Sequence, residues 1–241
     1  MSKFLYATDK SVSLYHDALS LLGIPETDTT TLSTATYTRY ANAWYQRMVF
    51  YIWRSSGLWQ FDDFNNTTLP EATTTLVDGQ GDYGIPTTAI DIKEAYVMNS
   101  SGDYQKLKRI NPTDMIEARD EYYETDAMPA EFYLEGNSII LKPAPLAASV
   151  TLAAGLKIIL DRNVTIFTTS DTSKEPGFVA TFHRLISLGA AYDFARANNM
   201  ITKINTIKPD LDLMVKEAEE YYSRRSKGGK NNIKPSLVSS I

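Results

Sequence analysis

Pro129-Ala130-Glu131-Phe132-Tyr133-Leu134-Glu135-Gly136-Asn137-Ser138-Ile139-Ile140-Leu141-Lys142-Pro143 is the stretch on which the reading of this chain turns. Two short apolar runs, 132–134 and 139–141, flank Glu135-Gly136-Asn137, the signature of a β-hairpin. Pro143 closes the second run, because a residue without an N–H stops further pairing. Outward from this hairpin, over about 69–160, β-type runs alternate with turn signals. Residues 73–77 precede Asp78-Gly79, residues 90–98 precede Asn99-Ser100-Ser101-Gly102, and residues 104–110 precede Asn111-Pro112. Val150, Leu152, Ala154, Leu156 and Ile158 alternate strictly, which predicts a strand with one buried face. Residues 112–123 read as one short helix opened by Pro112. Short, closely spaced strands predict a small antiparallel sandwich or barrel.

On both sides of this region the period lengthens to that of a helix. In 10–22, Val12, Tyr15, Leu19 and Leu22 share one face, and Gly23 and Pro25 supply a stop. Residues 32–55 carry Tyr37, Tyr40, Trp44, Met48 and Tyr51 on one face, widened by Ala41, Tyr45 and Ile52. The end of that helix, 48–53, is apolar all round, so it should be buried on more than one side, with a second subunit as one possible cover. After Pro176, the residues Phe178, Phe182, Leu185, Gly189 and Tyr192 predict a third helix, in which Gly189-Ala190-Ala191 would let a neighbour approach closely. A fourth helix is expected to start near Pro209, with Asp210 and Asp212 in its first turn and Arg224 and Arg225 in its last, matching the helix dipole. Its apolar stripe is Leu211, Met214, Val215, Ala218 and Tyr222, and Gly228-Gly229 ends it.

The expected organisation is therefore α+β. Helices in 1–66 and 163–226 form a helical bundle, and the β module of 67–162 is inserted into it. Residues 227–241 stand apart as a C-terminal arm, with three lysines after the last helix and no acid. The arm reads either as a frayed terminus or as a segment that orders when a partner covers Ile233, Leu237, Val238 and Ile241. No internal repeat is present.

Composition limits the function classes. The chain has 241 residues, 43% apolar and 22% charged, which suits an ordinary globular protein. Fifteen tyrosines are compatible either with surfaces that meet other proteins or with a core that keeps some polar groups. A net charge of −5 does not advertise a nucleic-acid partner. The absence of cysteine excludes disulfides, thiolate metal sites and cysteine nucleophiles. No apolar run reaches membrane-spanning length and the N-terminus lacks a secretory core, so a soluble cytosolic protein with no membrane contact is expected.

Residue patterns able to carry chemistry are few. His16 and His183 lack two-histidine metal spacing and read as surface or packing residues. Gly79-Gln80-Gly81 lacks the strand-to-helix context and the Lys-Ser/Thr ending of a phosphate loop. Asp62-Asp63 and the acids Glu117, Asp120, Glu121 and Glu124 are the main acidic clusters, and such runs are usually solvated faces rather than catalytic pairs. Arg224, Arg225, Lys227, Lys230 and Lys234 form the basic run, with no aromatic after Tyr222 to stack a base. No catalytic residue, metal site or cofactor is expected.

An ordered set of short matches then points further. Asp82-Tyr83-Gly84-Ile85-Pro86 comes first, ahead of the 90–98 strand. Leu107-Lys108-Arg109-Ile110-Asn111-Pro112-Thr113-Asp114-Met115 follows. Next comes Pro129-Ala130-Glu131-Phe132-Tyr133, closed by Gly136 and Ile139-Ile140-Leu141-Lys142-Pro143-Ala144-Pro145. The 150–158 strand leads to the 178–192 helix. Over about half of the chain this order resembles the head-to-tail connector, or adaptor, proteins of tailed bacteriophages. The resemblance implies a structural virion protein, made in the host cytoplasm and built into the neck between head and tail. It implies a ring, commonly of twelve copies, docked under the portal protein. Such a ring extends the channel for packaged double-stranded DNA without reading its sequence, and offers a platform to tail proteins (nozzle, stopper or fibres).

On this reading Lys230, Ile233, Lys234, Pro235, Leu237, Val238 and Ile241 form the portal-binding arm, while Phe50, Trp53, Tyr222 and Arg225 belong to the subunit interface. The competing readings are another neck or tail ring (a stopper or tail-tube subunit), a tail-associated peptidoglycan hydrolase using the acidic clusters, and a DNA-binding module using Arg224 to Lys234.

Overall fold

The computed structural model describes residues 5–7, 9–56, 68–112 and 126–226. The chain divides into two compact units, Met1–Asn66 with Val164–Ile241, and Thr67–Asn163. The described residues contain four α-helices and two four-stranded sheets, so the fold is α+β.

In the first unit, α1 (Leu14–Leu22) starts at Ser13, whose extended backbone and hydroxyl oxygen turn back toward the His16 N–H. It stops at Gly23, which takes the left-handed conformation (φ 72°) that ends many helices. Helix α2 (Thr34–Ser56) starts where the Ser33 hydroxyl accepts the Thr36 N–H at 3.2 Å. Helix α3 (Arg184–Ala197) follows a 3-10 turn, Ala180–Phe182. Most of the α3 surface is buried, including Leu185, Ile186, Leu188, Gly189, Ala190, Ala191, Phe194 and Ala195. Its small residues let helices close on it from several sides, and α1, α2 and α4 (Ile201–Ser226) all pack against it.

The fourth helix corrects one expectation. It begins at Ile201, two turns before Pro209, which lies inside it. Pro209 removes one N–H from the ladder, but Ile207 and Leu211 on either side are buried, and that packing holds the helix through the break. Asp210 and Asp212 are therefore mid-helix residues, and the dipole argument does not apply to them.

Several tyrosines prove to be core pins. Tyr15 donates to the Leu32 carbonyl at 2.7 Å, Tyr45 accepts the Gly177 N–H at 2.8 Å, and Tyr222 accepts the Val179 N–H at 3.2 Å. Each ring fills core volume while its hydroxyl satisfies a backbone group that would otherwise be buried unpaired. Asn42 does similar work from α2. Its amide donates to the Phe167 carbonyl at 2.9 Å and accepts the Phe167 N–H at 2.8 Å, fixing the loop as a strand neighbour would.

In the second unit one sheet has the order β1 (Glu71–Thr74), β8 (Leu156–Arg162), β3 (Ala89–Met98), β4 (Tyr104–Lys106). The other has β2 (Asp82–Gly84), β7 (Ser138–Lys142), β6 (Glu131–Glu135), β5 (Lys108–Arg109). Leu156, Ile158, Leu160 and Val97 from the first sheet join Phe132, Ile139, Leu141 and Tyr83 from the second in one apolar cluster. Two sheets thus share a core, but they do not close into a barrel, and the β5–β6 pair is parallel where an all-antiparallel module was expected.

The hairpin forms as its sequence predicts. Glu135 pairs with Ser138 across a two-residue turn, and Gly136 there takes φ 60°. Two other strands differ from expectation. The run 104–110 is not one strand. Leu107 is buried and donates its N–H to the Ala95 carbonyl (2.8 Å), while Lys108 donates to Ala130 (3.0 Å), so the chain passes from one sheet to the other at that point. The alternating run 150–158 is not one strand either. Val150 only bridges Asn99, Ala154 sits at φ 51°, and the strand proper starts at Leu156 and runs on to Arg162. The predicted helix at 112–123 falls almost wholly outside the described residues.

Candidate interaction surface

The end of α2 is where the sequence placed a subunit contact. Met48, Val49 and Ile52 are buried in the chain's own core, as apolar residues on that face should be. Phe50 points the other way and is 50% exposed. Trp53 is half-buried, its ring centroid 5.8 Å from that of Phe50, and its indole N–H has no acceptor among the described residues. Arg54 is exposed beside them.

Tyr222 lies elsewhere than the interface reading would put it. It is 1% exposed, packed near the Phe182 ring and bonded to Val179, so it serves the core of its own chain. The outward residue of that pair is Tyr221, 44% exposed, with its ring centroid 5.5 Å from that of Phe182. The exposure of Tyr221 and Leu213 was not singled out in the sequence, although the signal was present. Once Leu211, Ala218 and Tyr222 are assigned to the buried stripe of α4, a rotation of about 100° per residue puts Leu213 and Tyr221 outside it. The Arg225 side chain and the arm residues Lys230, Ile233, Lys234, Pro235, Leu237, Val238 and Ile241 lie outside the described residues.

Two shallow grooves border α4. One, of about 680 Å³, is lined by Thr181, Phe182, Glu217, Glu220, Tyr221 and Arg224. The other, of about 650 Å³, runs between the end of α2 (Arg54, Ser55) and Lys216, Glu219, Glu220 and Ser223. Their charges differ by helix. Arg39, Arg47 and Arg54 are the charged residues of α2, which has no acid. Between 210 and 220, α4 carries Asp210, Asp212, Glu217, Glu219 and Glu220 against Lys216 alone.

Among the described residues no three His, Asp or Glu side chains gather in a metal-binding group. Asp62, Asp63, Glu117, Asp120, Glu121 and Glu124 lie outside the described residues. No helix among the described residues is long and apolar enough to cross a membrane.

His183 is structural. It is 1% exposed, and its Nε2 donates to the Phe178 carbonyl at 2.7 Å. Burial holds its pKa below the usual 6.5, against the opposing pull of that carbonyl and of Glu175. The folded protein therefore binds this proton less readily than the unfolded chain, so stability is present above about pH 6.5 and is lost as pH falls through that value. His16, also held low by burial, adds to the same trend. The expected result is a melting temperature that falls between about pH 7.5 and 5.5, with a shallower fall in His183→Gln, which keeps an amide donor but cannot titrate. An equal slope in the variant would remove His183 from this account.

A family model for the SU10 adaptor protein matches residues 26–224. The match spans most of the chain and both units, and the chain belongs to the SU10 adaptor family of phage head-to-tail adaptor proteins. No curated protein sequence matches it. Membership makes the chain a bacteriophage structural protein and a virion component, whose partners are portal and tail proteins.

Proposed function

We propose that this chain is the ring-forming subunit of the phage neck, non-catalytic and placed between portal and tail. About twelve copies close into a ring that lengthens the DNA channel and gives tail proteins a surface to dock on. The observation that carries this reading is the family match over residues 26–224, which takes in both the helical unit and the β unit. Phe50 supports it, as a large aromatic left half-exposed near the end of a helix whose other face is buried. A net charge of −5 agrees with a wall along which DNA slides without being gripped.

The C-terminal arm makes the portal contact in this proposal, with Ile233, Leu237, Val238 and Ile241 covered by the portal and Lys230 and Lys234 supplying charge. Deleting residues 229–241 should leave the melting temperature nearly unchanged, since so short a segment, rich in Lys, Asn and Ser, has little apolar surface to add to a core. The same deletion should abolish co-purification with the portal protein. Normal portal binding by the truncated chain would take the arm out of the proposal.

A further inference from the structure

We propose that the outward stripe of α2 in one copy seats on the outward stripe of α4 in the next, so that each chain carries both halves of a head-to-tail contact. This inference rests on the ring reading above and names the faces that would close the ring.

Arg39, Ala43, Arg47, Phe50 and Arg54 follow one another at steps of four, four, three and four, which aligns them along α2. Phe50 is the exposed aromatic centre of this stripe and its charges are all positive. On α4, Asp210, Leu213, Glu217, Glu220 and Tyr221 share one side of the helix. Leu213 is 58% exposed and Tyr221 44% exposed, and the groove beside them has the Phe182 ring on its far side. One stripe offers an aromatic knob among arginines, and the other an aromatic-lined groove bordered by Glu217, Glu220 and Arg224. Both stripes expose apolar side chains, and their net charges are opposite in sign.

That complementarity identifies the occupant. A foreign partner would need one of these faces, whereas a second copy of this chain uses both. The stripes differ from each other, so the contact is heterologous, and a repeated heterologous contact closes into a ring when its rotation fits. The aromatic and leucine contacts should supply most of the energy, since exposed ion pairs contribute little. The charges should set orientation and partner choice. Part of the charge is already engaged within the chain, because Arg47 pairs with Asp193 at 3.6 Å and Arg224 with Glu220 at 3.5 Å. Arg39 and Arg54 on one stripe, and Asp210 and Glu217 on the other, have no ion pair among the described residues, and they are the charges left to meet across the contact.

The chain has no cysteine, which allows a direct test. Full-length chain carrying Phe50→Cys is mixed with tagged full-length chain carrying Tyr221→Cys, oxidised mildly, and run on a non-reducing gel. A mixed disulfide dimer should become the main species, while each variant alone stays monomeric. A control mixture of Phe50→Cys with Leu69→Cys, exposed in the other unit, should not link. A Tyr221 mixture that links no better than this control overturns the inference. So does strong self-linking of either variant alone, which would mark a symmetric contact. If the wild-type chain still forms a ring on the portal in that case, the ring reading stands and only these faces are wrong. A basic stripe engaged by DNA instead would give no mixed dimer and count as the same failure.

Discussion

Gly189→Ala should destabilise the helical unit by about 2–4 kcal/mol, even though alanine is the better helix former by roughly 1 kcal/mol. A Cβ at Gly189 would lie 2.1 Å from Cδ2 of Trp44 and 2.4 Å from its Cγ and Cε2. Carbon atoms pack at roughly 3.5–4.0 Å, so one of the two must move. Trp44 is poorly placed to do so. Its Nε1–H donates to Asp193 Oδ2 at 2.8 Å, and the Arg47 guanidinium lies 4.8 Å from its ring centroid while pairing with the same Asp193. Shifting the indole breaks this set of contacts together, and shifting α3 disturbs the helix that touches the other three. Helical circular dichroism should melt roughly 10 °C lower than wild type. The companion variant Trp44→Leu should cost stability on its own and much less in the Gly189→Ala background, because the clash and the lost ring offset each other. Gly189→Ala melting at or above wild type would contradict the packing of α2 on α3.

Gly155→Ala is the counterpart in the β unit, and its expected cost is about 3 kcal/mol or more. Here the added Cβ would lie 2.1 Å from the Thr151 carbonyl oxygen and 2.7 Å from Leu76 Cδ1. The first neighbour is backbone and has no rotamer to escape into. Gly155 also donates to the Leu152 carbonyl at 3.1 Å and accepts the Met98 N–H at 2.8 Å, so it binds the turn to the end of β3. The turn leads directly into β8, which pairs with both β1 and β3. Disturbing it should loosen the whole first sheet. Urea unfolding followed by tyrosine fluorescence should show an earlier midpoint, and an unchanged midpoint would mean the turn is not tight in solution.

These two glycines also show how far the sequence could be read. Gly189 was legible, because a glycine followed by two alanines on an apolar helical face has few uses other than close approach. Gly155 was not. The alternation from Val150 to Ile158 runs on through Ala154 and Gly155 as though no turn were there. A small residue at a turn and a small residue in a strand leave the same trace in a period-two pattern. The split of 104–110 between two sheets was hidden for a related reason. Leu107 is buried in the shared core and reads as one more inward strand position, although the backbone changes partners there.

Helix boundaries followed their capping chemistry where that chemistry was local. Gly23 stops α1 as expected, and Ser13 caps its start. Pro209 misled, because a proline that would open a helix in isolation can be carried inside one when Ile207 and Leu211 are both buried. Phe50 read as part of a helix end that is apolar all round, and the structure leaves it half-exposed beside Trp53. Tyr222, expected at the subunit interface, is a core ring, and the exposed ring is its neighbour Tyr221. The exposed acidic face of α4 was hard to read because Asp210 and Asp212 fit the first turn of a helix opened by Pro209, whereas the helix starts two turns earlier, at Ile201.

The most direct test of the ring reading is an electron-microscopy image of the full-length chain incubated with the portal protein of its own phage. The expected image is a closed ring of this chain, of about twelve copies, seated coaxially on the portal. A chain that remains monomeric beside bare portals would contradict it.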